Sequence, residues 1–284
     1  MLCIKCVFPQ LIMACFLLRL VSIAHLHQCL DMGIAEEHAI TFAGALSLTG
    51  YHPIVSMYSS FLQRAYDEIL HDCARIKSDM TLLVDHVGMN GRTGETHAGI
   101  YDEAFIRSIP NVTLAMPSTL AEMKALFEQS LEPGHGVYAI RLTEENAEPG
   151  EPIEKLEYGK WIELRKAKKS ALLGVGLKGR LLMERVKESN QDCGLINPIF
   201  LNPILPENID LIKDCERIFL YDPYGTEAGF ASSLALALAK AGFRGKLETA
   251  VIPDVFVPMG TRQEQAEQYG LDLETAFKRV SEFL

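Results

Sequence analysis

Four short runs of this sequence carry the side chains that could do chemistry. Gly33-Ile34-Ala35-Glu36-Glu37-His38 sets two carboxylates and an imidazole at a predicted helix start. Tyr58-Ser59-Ser60-Phe61-Leu62-Gln63-Arg64 joins two aromatic rings to a cation just after a predicted strand. Asp85-His86 closes another strand and opens a glycine-rich loop that passes Arg92 and Thr96-His97 before Gly99. Asp254 through Gly260, DVFVPMG, follows the last strand. A buried carboxyl group can hold or release a proton, and imidazole does so near neutral pH. Aromatic rings can stack on a flat ligand, and a guanidinium fork fits phosphate. Each run also has a plain structural reading. Carboxylates are favoured at helix N-termini by the dipole, and Arg64 with Asp67 has the i, i+3 spacing of a surface ion pair. A histidine in a glycine-rich loop is more often solvated than reactive.

Several well-known signatures are missing. There is no G-x-G-x-x-G between a strand and a helix, no G-x-x-x-x-G-K-[ST], no H-E-x-x-H and no G-x-S-x-G. Cys3-Ile4-Lys5-Cys6 has the C-x-x-C form but no second pair to complete a zinc site, so no metal ligands are expected in this chain.

The elements that must position these runs alternate between strand and helix. Apolar residues Ala39, Phe42, Ala43 and Leu46 recur at helical spacing, predicting a helix over 35–48 that Gly50 ends. Strands are predicted at 53–57, 80–84, 112–115 and 137–141. A helix over 60–76 is predicted from the stripe Phe61, Ala65, Ile69, Cys73, and Thr119-x-x-Glu122 reads as a capping box for another. The acidic, proline-containing segment 146–157 reads as a linker. Beyond it strands are predicted near 171–175, 195–200, 217–221 and 247–252, with a helix at 226–241. Such alternation predicts an α/β fold with two doubly wound, mainly parallel sheets: one unit at 31–145 and one at 158–284. In open sheets of this kind ligands bind at the carboxyl ends of the strands, where three of the four runs fall.

Composition narrows the function classes. The 284 residues are 48% hydrophobic and 23% charged, enough to bury two cores and far from disordered, collagenous or coiled-coil sequence. The 27 Lys and Arg stand against 37 Asp and Glu, a net charge of −10 that argues against a nucleic-acid partner. Seven irregularly spaced cysteines are not a secreted disulfide framework and fit reduced thiols in the cytoplasm. Residues 1–30 stand apart. Their apolar run at 11–24 is interrupted by Arg19 and is shorter than the ~20 residues a membrane span takes, so no membrane partner is expected. Three readings of it remain: a packed or interfacial helix, a targeting segment, or a start that is not native to the fold behind it.

Taken together, the motifs resemble a family. The run DMGIAEEHAITFAGALSLTGYHPIVSMYSSFLQRAYDEILHD, with its I-A-E-x-H-A and Y-S-x-F-L-Q-R-A-Y-D motifs and the later T-H-x-G, resembles the pyrimidine-binding domain of thiamine-diphosphate enzymes. More narrowly it is similar to 1-deoxy-D-xylulose-5-phosphate synthase in the transketolase family. PIEKLEYGK and IPDVFVPMGTRQEQAEQYGLD resemble that synthase's carboxy-terminal domain, so the likeness runs from about Asp31 to Leu284. It implies thiamine diphosphate with Mg²⁺ as cofactors and small-molecule substrates. The implied reaction joins pyruvate to glyceraldehyde 3-phosphate with loss of carbon dioxide. Glu36 would drive the aminopyrimidine to its imino tautomer, with Tyr58, Phe61 and Arg64 lining the cofactor pocket. His97 would move protons on the bound substrate, and Tyr58, His86, Arg92 and Arg141 would meet that substrate.

The departures from the family pattern are specific. His86 stands where the family has arginine, and Thr93 where it has aspartate. Arg141-Leu142-Thr143-Glu144-Glu145 replaces R-Y-P-R-G, so Glu144 takes the place of an arginine and is expected to repel phosphate. No G-D-G occurs for the diphosphate and magnesium. The expectation is a homodimer or a hetero-oligomer with a diphosphate-binding chain, or else an interrupted gene product. The small subunit of a split transketolase, the beta subunit of a 2-oxo acid dehydrogenase and a non-catalytic fragment are the competing readings.

Overall fold

The computed structural model describes residues 2–5 and 29–284. The apolar run at 11–24 and Cys6 lie outside the described residues. Two sheets organise the rest. The first contains, in spatial order, β10 (Phe200–Asn202), β5 (Val112–Ala115), β6 (Val137–Arg141), β4 (Met80–Asp85), β3 (Pro53–Tyr58), β1 (Leu2–Lys5) and β2 (Cys29–Asp31). All its pairings are parallel except β10 with β5. The second contains β12 (Lys246–Ile252), β11 (Arg217–Thr226), β8 (Ser170–Gly174), β9 (Gly194–Asn197) and β7 (Ile162–Arg165), parallel except for the β7 edge. This is the expected α/β architecture of two doubly wound, mainly parallel sheets. β3, β4, β5 and β6 are buried at every position, as strands covered on both faces must be, which is why they read as mainly apolar runs.

Three elements differ from the sequence reading. β1 comes from within the first thirty residues, which the sequence set apart, yet it pairs with both β3 and β2 inside the first sheet. The helix predicted over 60–76 is a succession of short pieces: α-helix at Ser59–Leu62 and Tyr66–Glu68, a 3₁₀ turn at Gln63–Ala65 and π-helix at Ile69–Ala74. Its stripe still packs inward, with Ala65, Ile69 and Cys73 buried. The expected capping box is half made. Thr119 Oγ1 accepts from the Glu122 amide at 3.1 Å, but the Glu122 carboxylate turns to Ser118 and to Asn197 Nδ2 at 2.9 Å. A buried carboxylate is better satisfied by those three donors than by one helix-end amide.

The segment around 146–157 has no regular structure but runs against the helix Leu120–Ser130. Gln129 Nε2 donates to Leu156 O at 2.7 Å, and the amides of Leu120 and Ala121 donate to Glu148 and Pro149 carbonyls. β10 then returns to pair with β5, so one apolar core runs from Ala39 and Val137 through Phe200 to Ile218 and Phe230. A second core, built on Leu172, Tyr221 and Ile252, takes in Ala98 and Ile100 from the glycine-rich loop. Among the described residues no helix is long and apolar enough to cross a membrane.

Candidate functional site

β3, β4 and β6 end together at Tyr58, Asp85 and Arg141, and the candidate site forms there. Glu36 opens the helix Glu36–Ser47 and is buried, whereas Glu37 beside it is exposed. Glu36 Oε2 has no hydrogen-bond partner; its nearest cation is Arg64 Nη1 at 3.5 Å, from a mostly exposed side chain. An aromatic row follows. His86 lies face-on to Tyr58 at 3.7 Å between ring centres, Tyr58 stacks with Phe61 at 5.8 Å, and Phe61 meets His97 edge-on at 5.3 Å. The structure therefore brings Glu36, Tyr58, Phe61, Arg64, His86 and His97 to one end of the first sheet. The Arg92 side chain lies outside the described residues.

The loop that carries His97 is folded tightly back on the strand end. Gly88 and Gly99 exchange backbone hydrogen bonds at 2.7 and 2.9 Å. A Cβ at Gly99 would lie 2.2 Å from the His86 carbonyl oxygen, so the closure requires glycine there. His86 itself has φ +58°, an unusual conformation for a side-chain-bearing residue, which aims its ring at Tyr58. Its Nε2 lies 2.6 Å from Glu144 Oε1 and its Nδ1 3.3 Å from Asp85 Oδ2, although neither contact has hydrogen-bond geometry. The other Glu144 oxygen contacts the Arg262 guanidinium. Glu144 is thus a paired carboxylate, held by one cation from the second unit and one imidazole from the first, and not the free repelling charge expected from sequence.

Arg141 also departs from expectation. It is fully buried and its fork is occupied, so it does not face a substrate. Nε and Nη2 donate to the two oxygens of Asp102 at 2.7 and 3.1 Å, Nη1 donates to Glu103 at 2.7 Å, and Nη2 also donates to the Tyr224 carbonyl at 2.9 Å. Burial pulls its pKa down, but Asp102 and Glu103 more than offset that and hold it charged. Ser59 Oγ donates to Asp102 at 2.8 Å, and the Phe230 amide donates to Glu103. Asp222, also fully buried, is pushed well above the usual carboxylate range, first by burial and then by Glu103, with Arg141 pulling the other way. Arg141 is the centre of a buried ionic cluster of the first unit, which reaches the second through the Tyr224 carbonyl and the Phe230 amide.

A cavity of about 460 Å³ opens between the units, lined by Gly88 and Met89 from the first and Lys178, Arg185, Tyr224 and Arg262 from the second, among others. Each of its three cations touches a carboxylate: Lys178 with Glu145 at 2.9 Å, Arg185 with Glu274 at 2.6 Å, and Arg262 with Glu144. Sequence reasoning missed Asp102, Glu103, Glu145 and Arg262. Nothing local marks them, because each acts on a partner at least 33 positions away (Lys178 from Glu145 is the nearest). Among the described residues no group of three His, Cys, Asp or Glu side chains could hold a metal ion.

Comparison with known proteins shows what the chain is similar to. The profile described as "Transketolase, pyrimidine binding domain" matches residues 17–149, which hold every element of the aromatic row. The 1-deoxy-D-xylulose-5-phosphate synthase of Thermus thermophilus is 32% identical over 264 residues, covering 92% of this chain and 42% of the relative. Residues 17–149 thus match a transketolase pyrimidine-binding domain, and most of the chain is similar to part of this synthase. Another such synthase, from Clostridium tetani, is 32% identical over 259 residues, again with 42% of the relative covered. The chain therefore spans under half the length of the curated relatives it matches. Among solved structures, a chain titled "Split gene transketolase, inactive beta4 tetramer" superposes with a TM-score of 0.81 at 21% identity, covering 100% of this chain and 91% of that one. The transketolase of Campylobacter jejuni superposes at 0.73 with 16% identity, with 39% of its chain covered. Both share the fold.

Proposed function

We propose that this chain is the pyrimidine-binding and carboxy-terminal part of a thiamine-diphosphate-dependent carboligase, with the reaction of 1-deoxy-D-xylulose-5-phosphate synthase as its nearest model. The observation that supports this most directly is Glu36: a buried carboxyl oxygen without a hydrogen bond, at the same sheet end as the half-buried Phe61 ring. A ring nitrogen supplies what the carboxyl lacks, and a planar pyrimidine fits an aromatic face. When bound, thiamine diphosphate supplies a stabilised carbanion at its thiazolium carbon. Glu36 holds the pyrimidine nitrogen, Phe61 stacks on the ring, Tyr58 and Arg64 wall the pocket, and His97 moves a proton on the bound substrate. Ligands for Mg²⁺ and the diphosphate come from a partner chain or from a diphosphate-binding domain outside this sequence. The second reading, the small subunit of a split transketolase, is favoured by the near full-length overlap with a split-gene chain.

The test is a titration of the chain with thiamine diphosphate, observed by saturation transfer to the pyrimidine protons. Stacking and one charge-assisted hydrogen bond support an affinity of about millimolar. The expected result is weak, saturable binding that Glu36→Gln and Phe61→Ala both abolish. No saturable transfer at about ten times that concentration, or binding indifferent to both substitutions, refutes the reading. With a diphosphate-binding chain added, carbon dioxide release from pyruvate marks the synthase reaction, and ketol transfer without it marks the split transketolase.

A further inference from the structure

We propose that Gln265 and Arg262, one turn apart on the helix Arg262–Gln268 of the second unit, are positioning residues for the two histidines of the site. The inference rests on the reading above only for what the histidines do. Gln265 is 3% exposed although its amide is polar, and all of its bonding reaches outside its own helix. Its Oε1 accepts from the Gly91 amide at 3.0 Å, and its Nε2 donates to the Gly91 carbonyl at 3.3 Å and to Pro258 O at 2.8 Å. One side chain thus pairs with both backbone groups of a loop glycine, as a neighbouring strand would. The preceding residue, Asn90, passes this restraint on. Asn90 Nδ2 donates to the His86 carbonyl at 2.9 Å and to the His97 carbonyl at 2.5 Å, tying the two histidine backbones together.

The second hold is Arg262. Its guanidinium contacts Glu144, whose other oxygen lies 2.6 Å from His86 Nε2. Arg262 thereby holds the Glu144 carboxylate beside the His86 ring, while Gln265 restrains the backbone that carries both rings. Apolar packing supports the same dock, since Ala98 and Ile100 are buried in the core of the second unit and Met89 packs against it. The loop belongs to the first unit by sequence and to the second by packing. In a family whose site lies at the strand ends of the first unit, the second unit then sets the geometry of proton transfer without touching the cofactor.

Hydrogen exchange of the full chain tests the dock directly. Gln265→Leu removes three hydrogen bonds at similar volume, and exchange across residues 88–99 should rise roughly tenfold or more while β4 and β6 keep wild-type protection. Gln265→Glu keeps the bond from the Gly91 amide but loses both donors, so its effect should be intermediate. In the assembled enzyme, Gln265→Leu and Arg262→Gln should lower kcat with KM for thiamine diphosphate unchanged, because Glu36 and Phe61 are untouched. Unchanged exchange over 88–99, or a rise spread evenly over the whole chain, overturns the proposal. So does a variant that loosens the loop and leaves kcat intact. An assembly inactive with the wild-type chain would count against the proposed function alone, because the exchange result stands by itself.

Discussion

Replacing Arg141 by methionine should destabilise the buried cluster around it rather than weaken a substrate contact. The side chain donates five hydrogen bonds, three to carboxylates, one to the Tyr224 carbonyl and a weak one to Met116 Sδ, with no exposure to water. Methionine fills much of the volume but leaves Asp102 and Glu103 buried beside Asp222 without their central counter-charge. Breaking a buried ion pair from one side costs about 3–5 kcal/mol, since the remaining charge keeps its desolvation penalty. For chains of this size each kcal/mol moves Tm by roughly 2–4 °C, so the expected fall is about 6–20 °C. Thermal unfolding followed by circular dichroism at pH 7 measures it. Arg141→Lys keeps the charge but not the fork and should fall between. Arg180→Met is the control, because it removes only a surface i, i+4 pair with Glu184 at 2.9 Å and should change stability by under about 1 kcal/mol. An Arg141→Met chain that melts with wild type but loses affinity for an acceptor would refute this account and return Arg141 to the substrate site.

Three further outcomes are expected. Glu36→Gln should cut turnover of the assembled enzyme at least ~10²-fold with little change in Tm, while Glu37→Gln, at an exposed position, leaves turnover near wild type; the reverse pattern in steady-state rates would exchange their roles. Asp222 has its folded-state pKa raised by burial, so its stability contribution is complete below the unfolded value and is lost as pH rises through the folded one; relative to wild type, Asp222→Asn should gain in Tm from pH 5 to pH 8, and a constant difference across that range would show that Asp222 does not take up a proton on folding. Because Glu144 occupies both His86 and Arg262, unphosphorylated glyceraldehyde should serve as acceptor at least as well as glyceraldehyde 3-phosphate, and Glu144→Gln should lower kcat with both while shifting the preference toward the phosphorylated acceptor by about tenfold; a wild-type preference for the phosphorylated acceptor in competition assays would refute this.

What sequence could show of this protein follows from the range of the forces involved. The sheets were legible because a strand buried on both faces must be mainly apolar, and β3, β4 and β6 are, apart from Ser56, Thr81 and the strand-end Asp85 and Arg141. The grouping of Glu36, Tyr58, Phe61, His86 and His97 was legible because parallel strands all end on one side, so residues that follow strands converge whatever their separation in the chain. The mixed α, 3₁₀ and π path over 59–74 was not, since an inward stripe of Phe61, Ala65, Ile69 and Cys73 fits any of those windings.

Charge was where the reading failed, and Arg141 and Glu144 failed for one reason. A lone arginine at a strand end looks like a phosphate ligand, and a lone glutamate looks like a repulsion, because an isolated charge interacts with whatever arrives. Neither is isolated. Asp102 and Glu103 reach Arg141 from 39 and 38 positions away, and Arg262 reaches Glu144 from 118 positions away, distances over which sequence pattern carries no information. Once paired, each side chain changes its part: the arginine becomes structure, and the glutamate becomes a link from the second unit to a histidine of the first. The same holds for Gln265, a neutral residue in a polar helix that only its burial against Gly91 distinguishes from its exposed neighbours Gln263 and Gln268.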